Sequence, residues 1–232
     1  MGLPIQKHAI YSIKVPSTGK TFQYKPFTVR EEKVLALAQE SKEDAVIYNG
    51  IVSVLNECFG NKLDATALAV FDVEYLLTQI RAKAVGELVN FRLACDKDPA
   101  HERTPYVLDV SKLEVIVPEK HNKKIHLFGE VGVVMRYPTL GEMVKFEKAD
   151  DVDSTIMCID YIYEGNEIYQ AKDQTPDELR VFVEALSKKQ LEKIEDDFFK
   201  SMPYFEAKLV WDCMICKHHH EKVIKGLHNF FT

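Results

Sequence analysis

What most constrains this chain is that its hydrophobic spacing changes in long blocks. Residues 9–27 alternate with a period of two, 28–85 repeat every three to four residues, 87–136 return to alternation, 138–201 are helical again, and 205–227 close in alternation. A parallel α/β fold needs strand and helix to alternate unit by unit, whereas blocks of one period followed by blocks of the other point to α+β. We therefore expect helical layers flanking a mostly antiparallel β-sheet. The expected segments are a hairpin and helical layer over 1–85, an antiparallel β region over 86–137, a helical region over 138–201 and a C-terminal β-hairpin over 202–232. If that hairpin pairs with 86–110, the middle and the end of the chain share one sheet.

Local signals place the elements. A Pro-Gly turn in PSTGK separates strands Ala9–Val15 and Thr21–Phe27. STGKT resembles the end of a phosphate-binding loop, but Lys14 stands where that loop needs glycine and a strand-like TFQYKPF follows, so nucleotide binding is not expected. Thr28 with Glu31, Thr175 with Glu178 and Ser187 with Gln190 read as capping boxes that open helices. Ser41 and Asp72 read as caps of two further helices, one showing Ile47, Ile51, Val54, Leu55 and Cys58, the other Val73, Leu76, Leu77, Ile80 and Ala84. Leu140–Lys148 and Ser154–Tyr163 are expected to be helical as well. LVNFRLAC, TPYVLDV, LEVIV, KIHLF and VGVVMRY read as strands.

Composition narrows the function. With 30 basic against 36 acidic residues the net charge is −6, which argues against a nucleic-acid binder. No apolar run reaches the roughly 20 residues of a spanning helix. The opening MGLPIQKHA has no apolar core, so no secretory signal is expected, and Gln6 occupies the position where myristoylation wants Ser or Thr. Five cysteines, unevenly spaced, suit a reducing compartment better than a disulfide framework.

Chemistry concentrates in Cys213-Met-Ile-Cys216-Lys-His-His-His220. Two thiolates at CxxC spacing can grip one metal ion from a tight turn, and structural zinc wants four ligands. The expected set is Cys95, Cys213, Cys216 and His219, with His220, Asp98 and His101 as alternative supplements. The warrant for Cys95 is an echo: LVNFRLAC-DKD and KLVWDC-MIC are both strands entering a C-x-x-[D/C] turn, so two facing turns would make a degenerate zinc ribbon. The competing reading is a hairpin with free thiols and a solvated histidine run. Redox chemistry is disfavoured because the motif lies between strands, not at a helix N-terminus. Cys58 and Cys158 fall in apolar helical segments and are expected to be buried. No HExxH, GxSxG or dinucleotide fingerprint occurs, so no enzyme activity is expected. Phe230 and Phe231 end the chain on two large aromatics, which suits a protein contact, including self-association.

Taken in order, YSIKVPSTGKTFQYKPFTVREEKVLALAQES, FDVEYLLTQIRAKAVGELV, VGVVMRYPTL and WDCMICKHHHEKVIKGLHNFF resemble the baseplate hub assembly proteins of T4-like contractile-tailed bacteriophages, from about Leu3 to Phe231. The resemblance implies a non-enzymatic role in building the baseplate hub in the infected host's cytoplasm, with other hub and tail proteins as partners and no membrane. It leaves open whether the chain stays in the finished virion. It also implies cysteine-pair turns in both β segments, whereas here Cys95 is matched with Asp98. The alternative is a zinc-ribbon nucleic-acid adaptor; a cysteine- or metal-dependent hydrolase would need an open metal position.

Overall fold

The computed structural model describes residues 8–225 and is α+β, with antiparallel sheets. The chain divides into two compact units, one made of residues 1–65, 71–116 and 205–232, the other of 66–70 and 117–204. Among the described residues no helix is long and apolar enough to cross a membrane.

The first unit opens with a hairpin of β1 (Tyr11–Lys14) and β2 (Thr21–Tyr24), Tyr11 opposite Tyr24. Helix α1 (Val29–Ser41) starts where the Thr28–Glu31 box places it: the Glu31 carboxylate accepts from Thr28 N–H at 2.8 Å. Ser41 does not cap the next helix. It is the last residue of α1, and its hydroxyl donates to the Ala38 carbonyl, so α2 runs Asp44–Cys58 from an N-cap at Glu43. Of the residues the helical spacing selected, Ile51, Val54, Leu55 and Cys58 are buried together with Gly50, while Ile47 is half-buried. Helix α3 (Val70–Ala84) begins two residues before Asp72, which is therefore inside the first turn. Asp72 is fully buried and accepts from Ser17 N–H at 2.9 Å and from the Ser17 hydroxyl, so it fastens the β1–β2 turn instead of capping.

Beyond α3, β3 (Leu88–Leu93) and β4 (Thr104–Asp109) form a two-stranded ladder, Leu93 opposite Thr104. Pro105 is tolerated in β4 because a two-stranded ladder leaves one edge of each strand unpaired. A short β5 (Val115–Ile116) follows. The C-terminal hairpin, which Tyr204–Asp212 and His219–Lys225 form (β10 and β11 in chain order), pairs through β10 with β5, not with β3 or β4. The β3–β4 ladder packs on the hairpin face to face. Leu93, Leu209 and Trp211 form the buried cluster between them, with Phe91, Tyr106, Leu108 and Ile224 packed around it. The β3–β4 ladder and the C-terminal hairpin thus meet by stacking rather than as strands of one sheet.

The second unit contains a four-stranded antiparallel sheet in the order β6-β7-β8-β9: β6 (Lys124–Phe128), β7 (Val131–Met135), β8 (Ile159–Glu164) and β9 (Glu167–Gln170). Helix α4 is a single turn at Met143–Phe146, preceded by a 3-10 turn at Leu140–Glu142. Helix α5 covers Asp151–Cys158 only; the expected helix to Tyr163 gives way at Ile159 to a strand. Tyr161 and Tyr163 pair with Gln170 and Ile168 across a turn at Gly165, whose φ of 56° suits glycine. Helices α6 (Pro176–Glu184) and α7 (Lys188–Asp197) open on the capping boxes their sequences carry. Ile125, Val133, Met135, Cys158, Ile159, Val183, Ile194 and Phe198 form the core between sheet and helices.

A candidate metal centre between two turns

The face-to-face stacking in the first unit brings the β3–β4 turn and the β10–β11 turn to the same end. In the first, Cys95 follows β3 by two residues. Asp98 then bends the chain, its carboxylate accepting from Ala100 N–H at 2.9 Å and its carbonyl from His101 N–H at 3.1 Å. In the second, Cys213 follows β10, and the turn closes through Lys217 N–H to the Cys213 carbonyl and Cys213 N–H to the His218 carbonyl, both 2.9 Å. Lys217 adopts a left-handed φ of 59°, which reverses the chain after the second cysteine. Met214 N–H donates to Thr104 Oγ1 at 3.2 Å and ties the two turns together.

Four side chains converge there. The donor atoms of Cys95, His101, Cys213 and Cys216 all lie within 4.8 Å of one another, close enough to bind one metal ion. Cys95 Sγ is 3.7 Å from Cys216 Sγ, and Cys213 Sγ is 3.6 Å from His101 Nδ1. Cys95 and Cys213 are buried, while Cys216 lies at the surface.

The surroundings favour the thiolate at Cys95 and Cys213 but not at Cys216. Burial opposes ionisation of Cys95, but the N–H groups of Asp98 and Lys97, the His101 ring and Cys216 outweigh it and draw the thiol down to about 5. Cys213 is lowered by the N–H of Cys216 against burial, with Ile215 N–H adding to the effect. At Cys216 the N–H of His218 favours the thiolate, yet burial and the neighbouring Cys213 and Cys95 prevail and the thiol is raised. His101 is raised, chiefly by its bond to Cys95. Each turn thus aims the N–H groups two and three residues past its first cysteine at that sulfur.

Of the residues the sequence nominated, Cys95, Cys213 and Cys216 come together. His219 stands outside the group, with Nδ1 2.8 Å from Asp212 Oδ1 on an exposed face. The reason is strand alternation: β11 begins at His219, so His219 and His220 point to opposite sides. His220 turns inward, 4% exposed, stacked on Trp211 with ring centroids 5.1 Å apart, and its Nε2 lies 3.5 Å from Cys95 Sγ. Asp98 is beside the group, its Oδ2 3.6 Å from His101 Nε2, rather than in it. His101 could have been preferred from sequence, since Cys95 and His101 repeat the spacing of Cys213 and His219. Phe230 and Phe231 lie outside the described residues. Cys58 and Cys158 are buried, and burial pushes both thiols up to about 12, which suits packing and not reactivity.

A family model described as T4 bacteriophage base plate protein matches residues 8–232. The chain belongs to that family. The match embraces both compact units and both cysteine turns, so the Cys/His group is part of a baseplate protein's body, not of an appended module. As a member of that family the chain is a bacteriophage baseplate protein, which implies interaction with other phage tail proteins. Comparison with curated proteins and with solved structures finds no match.

Proposed function

We propose that this baseplate protein is a subunit or assembly factor of the baseplate hub, made in the infected host's cytoplasm and working through contacts with other hub and tail proteins rather than through catalysis. The observation that carries this reading is the family match across residues 8–232. The geometry is in keeping with it. The metal-competent group offers four protein donors, the number a structural site uses, whereas a catalytic zinc keeps a position open for water or substrate. The cation we assign to it is zinc in a structural role. Val29 and Leu37 on α1 are 66% and 68% exposed, apolar area of the kind a partner would cover. Phe230 and Phe231 are further contact candidates on sequence grounds.

Native mass spectrometry of the chain, alone and mixed with the other hub proteins of the same phage, tests the role. A defined heterocomplex is expected, weakened by deleting residues 228–232. A chain that ignores every hub protein and instead binds DNA or RNA in a salt-sensitive manner would refute it.

A further inference from the structure

We propose that Cys95, His101, Cys213 and Cys216 hold one zinc ion in a closed tetrahedral site that clasps the β3–β4 turn to the β10–β11 turn, with His220 as a positioning residue behind Cys95. This rests on reading the group as a zinc centre, and adds which residues close it and what orients them.

Zinc bonds of about 2.3 Å to sulfur and 2.0–2.1 Å to nitrogen, set at tetrahedral angles, separate two sulfurs by about 3.8 Å and a sulfur from a nitrogen by about 3.6 Å. The Cys95–Cys216 and Cys213–His101 separations are 3.7 and 3.6 Å. Three thiolates and one imidazole suit zinc; calcium and magnesium take oxygen ligands, and iron–sulfur clusters are held by four cysteines or, in Rieske centres, by two cysteines and two histidines. His101 presents Nδ1 to the group and leaves Nε2 toward Asp98, the arrangement by which a carboxylate fixes the ring of a metal-ligating histidine. His219 cannot exchange with it without turning β11 over, because Trp211 opposite His220 and Asp212 opposite His219 fix the register.

His220 occupies the next shell. In the tautomer that carries its proton on Nε2, the ring donates to Cys95 Sγ 3.5 Å away, and the Trp211 face holds the ring plane. A donor aimed at a ligating sulfur draws off part of the thiolate's charge and fixes its direction without touching the metal.

The test uses the full chain, purified without a histidine tag or chelator and refolded with zinc present. Native mass spectrometry should show one zinc per chain in the wild type and in His219→Ala, and none in Cys216→Ser or His101→Ala. His101→Cys, which restores a fourth ligand, should regain the metal and so separate ligand loss from misfolding. His220→Phe keeps the stacked ring and should retain one zinc, with affinity against a chromophoric chelator lowered about 10–100-fold. Its cobalt-substituted form should show a shifted thiolate-to-metal charge-transfer band, which a purely packing role would not move. A wild type that takes no zinc, or loses two mass units to a Cys95–Cys216 disulfide, would refute the zinc centre itself. Zinc kept by His101→Ala and lost by His219→Ala would overturn the ligand set while leaving the centre standing. An unchanged affinity and spectrum in His220→Phe would overturn the positioning role alone.

Discussion

Glu74 offers a sharp test of the energetics of the first unit. It sits in the second turn of α3 at 8% exposure, and burial alone raises its carboxyl from the ordinary 4.5 to about 7. An acid whose folded value is raised costs nothing below pH 4.5, where it is neutral in both states, and costs most above 7, where folding must bury a charge. At 1.36 kcal/mol per tenfold, the gap between 4.5 and about 7 corresponds to roughly 3 kcal/mol. Glu74→Gln keeps the shape and removes the ionisation. It should therefore stabilise the unit by about 2–3 kcal/mol at pH 8.5, shrinking to under about 1 kcal/mol at pH 5, since the buried amide keeps its own polar cost. Urea unfolding followed by the fluorescence of Trp211 is the suitable assay, because this is the chain's single tryptophan and it lies in the same compact unit. A gain that is equal at both pH values would mean that packing and not ionisation is responsible. A loss at pH 8.5 would mean that the carboxylate is satisfied where it stands, and the argument from burial would fail.

Further predictions concern the second unit. The His121 ring packs against both Tyr137 and Phe198, with Nε2 2.8 Å from the Tyr137 hydroxyl and Nδ1 3.1 Å from Ser201 Oγ, and burial, helped by Lys123, lowers its proton affinity. Its stabilising contribution is full above pH 6.5 and falls as the unfolded chain takes up the proton, so the stability gap between wild type and His121→Phe should narrow from pH 7.5 to 5.5 when followed by amide exchange of α7. Gly132 in β7 has no room for a side chain: an added Cβ would lie 2.2 Å from the Tyr163 hydroxyl oxygen and 2.5 Å from the Ile125 carbonyl oxygen. Gly132→Ala should cost at least about 2–3 kcal/mol in thermal unfolding, and adding Tyr163→Ala should not restore it, because the Ile125 carbonyl is part of the β6 backbone. Thr175→Ala, which removes the hydroxyl and keeps Glu178, should cost about 1 kcal/mol, read by the same melt.

The sequence was most legible where the determinants are local. The three capping boxes mark true helix starts because a side chain and a backbone three residues away satisfy each other without help from the rest of the chain. Ser41 and Asp72 are capping residue types as well, but the Ser41 hydroxyl bonds back into α1 and the Asp72 carboxylate is claimed by Ser17, 55 residues away. Nothing local distinguishes these outcomes from a cap. Ile159–Tyr163 failed for another reason: a short apolar run fits either period, and the deciding signal was the Gly165-Asn166 pair beyond it, a hairpin turn between YIYE and EIYQ. At the metal group the two cysteine turns were legible as an echo. The choice among His101, His219 and His220 depended on which side of β11 faces the neighbouring ladder, and that phase is fixed only once the strands are registered.

A metal at this end of the molecule would join two lightly packed ladders. The β3–β4 ladder has only two strands, and an isolated hairpin is marginal in water. The buried apolar cluster that joins it to the C-terminal hairpin is Leu93, Leu209 and Trp211, smaller than the core of the second unit. The cysteine turns it carries lie 112 and 121 residues apart in sequence across the Cys213–His101 and Cys95–Cys216 contacts. Joining such distant points removes loop entropy from the unfolded chain, an effect worth up to about 4–5 kcal/mol for a covalent link of that span, and metal binding is in the same way folding free energy. Chelation should therefore act locally. In hydrogen-exchange mass spectrometry, EDTA should speed exchange over 88–109 and 204–225 by about 10-fold or more while leaving β6–β9 unchanged. Uniform loosening of both units, or none, would show that the clasp does not hold these ladders.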